Sequence, residues 1–407
     1  MPTPLVGVIG KTNVGKSTFF AAATELSVEI ENRPFVTIEP NIGIAYVRKR
    51  CPHVELGLPK CDPVNSLCIR GWRFIPVKLM DVAGLIKGAH RGRGLGNKFL
   101  DDLRKADVLL HVVDMSGSTD EDGNPVKPGT HDPLEDILTI EDEVNEWFFQ
   151  ILWNGWDRFS RGLDTMPSDK AVEAIAKRLS GLSIRKEHVI EAIKLAGLEG
   201  RKPGSWGREG VREFTRRLRE VAKPIVIVAN KMDVPVAEDN YRRVREELKD
   251  RVIVPTSALS ELILRRAAKS GYVDYVPGDP EFKVLDPGKL SKKQARALEL
   301  IAEFMKKWEG TGVQQALNTA VFEVLKMIVV YPVEDANKLT DRNGRVLPDA
   351  HLLPEGSTAL DLAAVVHTEL AKGFLYAINV RDKRRVGASY VLKDGDIIKI
   401  VSATARH

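Results

Sequence analysis

Eight residues near the start of the chain, Gly10-Lys11-Thr12-Asn13-Val14-Gly15-Lys16-Ser17, have the spacing G-x-x-x-x-G-K-[ST] that wraps a polyphosphate. Glycine at both ends lets the backbone close around the phosphates with successive N–H groups pointing inward, and a following helix adds its positive end. Lys16 is expected to reach the β and γ phosphates and Ser17 to ligate Mg²⁺, with Thr18 continuing the binding segment. Asp81-Val82-Ala83-Gly84 offers a carboxylate that can hold a Mg²⁺-bound water and a glycine N–H that can bond the γ phosphate. Thr37, in a loop punctuated by Pro34 and Pro40, can complete the metal shell and sense the γ phosphate. The expected metal ligands are therefore Ser17, Thr37 and, through water, Asp81, and the expected catalytic groups are Lys16, Thr37 and Gly84.

A second set of residues reads a base. Asn230-Lys231-Met232-Asp233 ends an apolar run, and the Asp233 carboxylate can accept from both guanine N1–H and the exocyclic amine. Adenine has no such amine and offers a lone pair at N1, so the wrong base leaves a polar group unpaired. Asn230 is expected to brace the base-side and phosphate-side loops, and the Lys231 stem to cover one face of the base. Ser257-Ala258-Leu259 follows the next apolar run, with the Ala258 N–H expected to face guanine O6.

These groups need a scaffold that puts them on one edge. Apolar runs at 5–9, 74–80, 109–113, 224–229 and 251–254 read as buried strands, and each phosphate- or base-binding motif named above follows one of them. Ligands of open parallel sheets bind at that carboxyl edge. From Ser118 to Lys223 the spacing is dominated by a helical period, with Gly and Pro clusters near Gly123 to Gly129 and Pro203 to Gly207 marking turns, which predicts an all-helical insertion whose Trp147, Phe148, Trp153 and Trp156 are core or a partner-facing surface rather than stacking platforms. An irregular connection is expected from Gly271 to Ser291, then a helix from Leu298 to Trp308. A strand is predicted over Val324–Val330, a capped helix over Ser357–Leu370 and a turn at Asp394-Gly395-Asp396 into a last strand.

Composition bounds the rest. A chain of 407 residues is too long for one ordinary core, and 43% hydrophobic with 29% charged residues describes a globular protein. The net charge of +5 permits nucleic-acid contact without demanding it, and Arg381, Lys383, Arg384 and Arg385 form a candidate strip whose alternative is a solvated loop. No membrane-length apolar run and no leader is found, and three cysteines cannot make a disulfide framework, so a reducing, cytoplasmic setting is expected. The abundance of Lys, Arg and Glu suits a heat-adapted source. All three cysteines lie close together with one histidine, as Cys51, His53, Cys61 and Cys68. They could form a tetrahedral Zn²⁺ site, but no C-x-x-C knuckle is present, and reduced thiols are the preferred expectation.

Taken together, Gly10 to Ser17, the run Pro34 to Asn41, Asp81 to Ala89, Gly92 to Asn97 and Asn230 to Asp233 resemble Obg-related translation-factor-type GTPases, closest to the YchF-like branch. The resemblance covers nearly the whole chain. It implies an α/β P-loop GTPase fold with a mostly parallel sheet, a helical insertion and a C-terminal ubiquitin-like β-grasp (TGS) module. The expected units are 1–117 and 224–320 for the GTPase, 118–223 for the insertion and 321–407 for the β-grasp module. It also implies binding of GTP and GDP, Mg²⁺, and a ribosome or RNA partner; no membrane or DNA partner is expected. Some YchF-like proteins lack the guanine motif and prefer ATP; the intact Asn230, Lys231 and Asp233 point to GTP. The rivals are an ATPase of that branch and an RNA-binding scaffold with incidental hydrolysis. Leu85 stands where Ras-like switches carry a water-orienting glutamine, so slow hydrolysis is expected, completed by His90, Arg91, Arg93, a partner or a cation. Asn13 resembles the asparagine that binds K⁺ in other glutamine-lacking GTPases, with loop bracing as its alternative role.

Overall fold

The computed structural model describes residues 3–25, 41–82 and 102–403. Strands β1 (Leu5–Ile9), β2 (Ile42–Arg50), β3 (Leu67–Ile69), β4 (Trp72–Asp81), β5 (Val108–Asp114), β6 (Ile225–Asn230) and β7 (Ile253–Pro255) form the main sheet. Their order is β2-β4-β1-β5-β6-β7, with β3 beside β4. The strands from β4 to β7 in this order are parallel, while β2 and β3 run antiparallel to β4. Every residue of β5 is buried, the near-continuous apolar run demanded of a strand covered on both faces. Register sets Val8 beside Asp81 and Asp114 beside Asn230, which aligns the motif-bearing strand ends on one edge.

Five α-helices, Pro133–Trp153, Trp156–Leu163, Ser168–Arg178, Lys186–Leu195 and Gly207–Ala222, fill the space between β5 and β6. Trp147, Phe148 and Trp156 are buried in their common core, and Trp153 packs against it, stacked on Phe149. Residues 118–132, which open the insertion and hold the turns that the sequence marks near Gly123 to Gly129, are an irregular loop with a single bridge between Thr119 and Pro125. Turn chemistry explains this: the Asp120 carboxylate accepts from the N–H groups of Asp122 and Asn124. Helix starts only where Asp132 caps the Leu134 N–H and Pro133 takes the first position.

The connection at 271–291 is irregular except for a pair of two-residue strands, β8 (Val273–Asp274) and β9 (Lys283–Val284), and a 3-10 turn at Pro287–Lys289. Beyond the helix Lys292–Trp308, a second sheet is built from β10 (Met327–Val333), β11 (His351–Pro354), β12 (Phe374–Asn379), β13 (Arg384–Val386) and β14 (Ile397–Ser402), in the order β11-β10-β14-β12-β13. This is the β-grasp unit that the resemblance implied. Two boundaries differ from expectation. β10 begins at Met327, because Val324 and Leu325 close a π-helical run, Thr319–Val324, that buries Ala320 and Val321; a short apolar run does not by itself separate helix from strand. The helix expected over 357–370 breaks at His367, whose extended backbone ends Ala359–Val366 and whose ring accepts from the Glu369 N–H to start Thr368–Lys372. Both units share a core: Val6, Val77 and Val112 lie in one buried cluster with Val329, Tyr331 and Leu347.

Candidate nucleotide site

Gly10 and Gly15 frame a loop that no other residue type could close. At Gly10 φ is +143° and a Cβ would fall 2.4 Å from the Val112 carbonyl oxygen; at Gly15 φ is +100° and it would fall 2.3 Å from Asn230 Nδ2. The helix Lys16–Thr24 starts from this left-handed Gly15 without a side-chain cap, which leaves first-turn N–H groups for an anion. Lys16 folds back and donates to the Lys11 carbonyl over 2.8 Å. Burial lowers its pKa, and the Asp81 charge opposes that shift. The pKa of Asp81, at the end of β4, is raised by burial, which the nearby Lys16 charge only partly offsets. Ser17 is exposed at the mouth of the loop, and Thr18 is half-buried behind it. Hard oxygen donors beside a lysine suit Mg²⁺, and Ser17 with Asp81 fit that ion. Thr37, Gly84, Leu85, His90, Arg91 and Arg93 lie outside the described residues.

The base-side motif is wired to this loop. Asn230, 3% exposed, donates through Nδ2 to the Val14 carbonyl at 2.9 Å and accepts through Oδ1 from the Ala258 N–H at 3.0 Å. The N–H expected to face guanine O6 is thus committed to Asn230. Lys231, with φ of +61°, sends its ammonium to Asp114 Oδ2 at 2.8 Å and to Ser118 Oγ at 3.1 Å. Burial raises the Asp114 pKa, but hydrogen bonds from Lys231, Ser116 and Ser118 outweigh it and hold the carboxyl below its usual range. Asp233 and Leu259 are exposed, while Ser257 is buried and caps the Ala258 helix through the Ser260 N–H.

Several positioning residues gave no sequence signal. Glu261, fully buried, accepts from Tyr275, Thr311 and Arg265, and the Ser257 N–H donates to the Thr311 carbonyl, so residues far along the chain fix the base-side loop. On the phosphate side Lys11 is buried and spans to the 118–132 loop and the first inserted helix. It donates to the Thr119 and Asp120 carbonyls at 2.9 and 2.6 Å and pairs with Asp136, which also holds His131 at 2.8 Å. Asn13 donates to the Gly123 carbonyl at 2.9 Å, which ties its amide nitrogen to the same loop. Asn13 therefore braces two loops, and a role of its oxygen toward K⁺ is a separate matter.

Cys51, His53, Cys61 and Cys68 come together away from this edge, beside β3 and β4. Clefts between the inserted helices, lined by Leu163, Met166 and Trp206, contain none of the motif residues; chemistry rather than concavity locates the nucleotide site. Among the described residues no helix is long and apolar enough to cross a membrane.

Comparisons agree with this arrangement. Profiles described as 50S ribosome-binding GTPase, Obg-like GTPase YGR210-like G4 motif-containing domain, and TGS domain match residues 5–152, 228–335 and 343–402. The chain is 49% identical over 399 residues to a GTP-binding protein of Methanocaldococcus jannaschii, covering 98% of this chain and 99% of the relative. A ribosome-binding ATPase, YchF, of Pasteurella multocida is 26% identical over 427 residues, covering 96% and 97%. The crystal structure of a GTP-binding protein from Pyrococcus horikoshii superposes with a TM-score of 0.76 at 40% identity, covering 98% and 99%.

Proposed function

This chain belongs to the Obg-related, YchF-like family of GTP-binding proteins, and from that premise we propose that it hydrolyses GTP slowly and signals its nucleotide state to the ribosome or an RNA partner in the cytoplasm. The observation that carries the reading is the Asn230 side chain, which joins the phosphate loop at Val14 to the base-side loop at Ala258. A nucleotide spanning that bridge has its phosphates in the Gly10–Ser17 cradle and its base at Asp233.

In this mechanism the Gly10–Ser17 backbone binds the phosphates, with Lys11, Thr12, Asn13 and Val14 lining the turn. Lys16 exchanges the Lys11 carbonyl for the β and γ phosphates and stabilises the charge that grows on the leaving group. Ser17 and Thr37 would hold Mg²⁺, with Asp81 acting through a water, and the ion would supply further charge neutralisation. Thr37 and Gly84 report the γ phosphate. Asp233 selects guanine by accepting from two donors, and the Lys231 stem covers the base while its ammonium stays on Asp114.

A second reading, ATP hydrolysis, is favoured by the name of the Pasteurella relative. Competition of GTP and ATP for a fluorescent nucleotide decides between them; equal affinity removes the guanine assignment. Partner contact rests on the exposed Lys383, Arg384 and Arg385, since Arg381 is occupied by Glu55 and the Gly395 carbonyl. Co-sedimentation with ribosomes that changes between GTP and GDP supports the switch, whereas nucleotide-independent binding supports a scaffold.

A further inference from the structure

Cys51 precedes the short helix Pro52–Glu55 that carries His53, Cys61 lies in the loop that follows, and Cys68 is the middle residue of β3. Their ligand atoms all lie within 4.8 Å of one another. Cys51 Sγ is 3.7 Å from Cys61 Sγ, and Cys68 Sγ is 3.7 Å from His53 Nδ1. A tetrahedron with bonds of about 2.3 Å to sulfur and about 2.0 Å to nitrogen has edges of about 3.8 Å between sulfurs and about 3.5 Å from sulfur to nitrogen. These two edges are close to those figures, the others lie within 4.8 Å, and the Cys51–Cys61 separation is far longer than a disulfide bond of about 2.05 Å; all three thiols are free.

An independent observation is the charge beside the cluster. Arg73, opposite Cys68 in the β3–β4 register, is fully buried. It donates only to neutral oxygens, Ser66 Oγ at 2.9 Å and the Leu347 carbonyl at 2.7 Å, and its Nε has no partner. Among the described residues no carboxylate pairs with it. The Tyr331 ring, 5.5 Å from the guanidinium, and two neutral acceptors only partly offset the burial of this cation, and a nearby negative charge would stabilise it further.

The geometry points to a structural Zn²⁺ site formed by Cys51, His53, Cys61 and Cys68. Three thiolates and a neutral imidazole on Zn²⁺ carry a net charge of minus one, which supplies the counter-ion for Arg73. Four protein ligands close the shell, so the metal holds structure and leaves no position for substrate. Soft thiolates with imidazole in a tetrahedral set select zinc over Mg²⁺. What the metal holds is the excursion between β2 and β4, whose Pro59-Lys60-Cys61-Asp62-Pro63 stretch is too polar to fix itself by burial. That excursion docks the C-terminal unit: the Asp62 and Val64 N–H groups donate to the carbonyls of Val346 and Pro348 at 2.8 and 2.7 Å, and Asn65 exchanges two hydrogen bonds with Ala350.

The test begins with the unaltered chain purified without chelator. Elemental analysis is expected to find stoichiometric zinc, and Co²⁺ exchanged into the site is expected to show tetrahedral visible bands with a thiolate charge-transfer band. Cys68→Ser should lose the metal, while His53→Cys should keep it with an added thiolate contribution in the Co²⁺ spectrum, which shows that loss does not simply report misfolding. The inference is overturned if the folded, unaltered chain takes up neither metal while its thiols react freely, if iron is found in place of zinc, or if Cys68→Ser retains full zinc.

Discussion

Base choice rests at the residue scale on one exposed carboxylate. Asp233 can meet both guanine donors, and Asn in its place keeps only one acceptor and presents a donor to guanine's own donors. Asp233→Asn is expected to weaken GTP by at least about tenfold, roughly 1.4 kcal/mol, and to narrow the GTP-to-ATP ratio. Competitive displacement of a fluorescent nucleotide measures both, and an unchanged ratio would show that the base is read elsewhere. Asn13 supplies the next case. Its amide nitrogen is spent on Gly123, which leaves its oxygen as the acceptor for a K⁺ ion that would act as an arginine finger does. Hydrolysis is expected to be faster in K⁺ than in Na⁺ at matched ionic strength, and Asn13→Ala is expected to remove the difference. Stimulation that survives the substitution leaves Asn13 with the bracing role alone.

Among the elements, the link between the phosphate loop and the first inserted helix is the one most exposed to disruption. The Lys11 and Asp136 side chains are 7% and 9% exposed, and removal of one partner strands the other charge in the interior. Asp136→Ala is expected to cost about 3 kcal/mol of stability by urea denaturation and to weaken nucleotide binding, because Lys11 sits inside the loop. The double substitution Lys11→Met with Asp136→Leu should recover much of the loss; a single-variant cost below about 1 kcal/mol would mean that the pair is not coupled to the fold. This link also shows what sequence could not carry. The phosphate and base motifs were legible because their chemistry is compressed into runs of a few residues at strand ends. Lys11 and Asp136 are 125 positions apart, as distant as any two unrelated charges until the helix brings them together. Glu261 meets Tyr275 and Thr311 for the same reason. The cysteines were close enough in sequence to suggest a ligand set, but only the return of the chain through β3 brings Cys68 to His53. Residues 118–132 carried a turn signal in the cluster from Gly123 to Gly129, but nothing in the sequence showed that the Asp120 carboxylate would close the turn on the Asp122 and Asn124 N–H groups.

For the whole molecule, one contribution to acid sensitivity, in addition to those of His188 and His351, whose pKa values burial also lowers, comes from a histidine that no motif singled out. His111 sits in the middle of β5, 1% exposed, with Nδ1 lacking a partner. Burial, with the Lys16 charge adding to it, pushes its pKa down to about 3. The folded protein therefore keeps this ring neutral at pH values where the unfolded chain, with an ordinary value of about 6.5, binds a proton. Unfolding takes up a proton between those two values, so this contribution is complete above about pH 7.5 and is lost progressively as pH falls toward 3. Between pH 7 and pH 5 the loss amounts to about 2 kcal/mol, on top of whatever the carboxylates contribute. His111→Leu removes the titrating group while keeping an apolar side chain in the sheet. The variant is expected to be less sensitive over that interval by about that amount, although its stability at pH 7 shifts with the altered packing. Urea midpoints of both proteins at pH 7 and pH 5 make the comparison, and an identical pH slope in the two would show that His111 does not limit stability in acid.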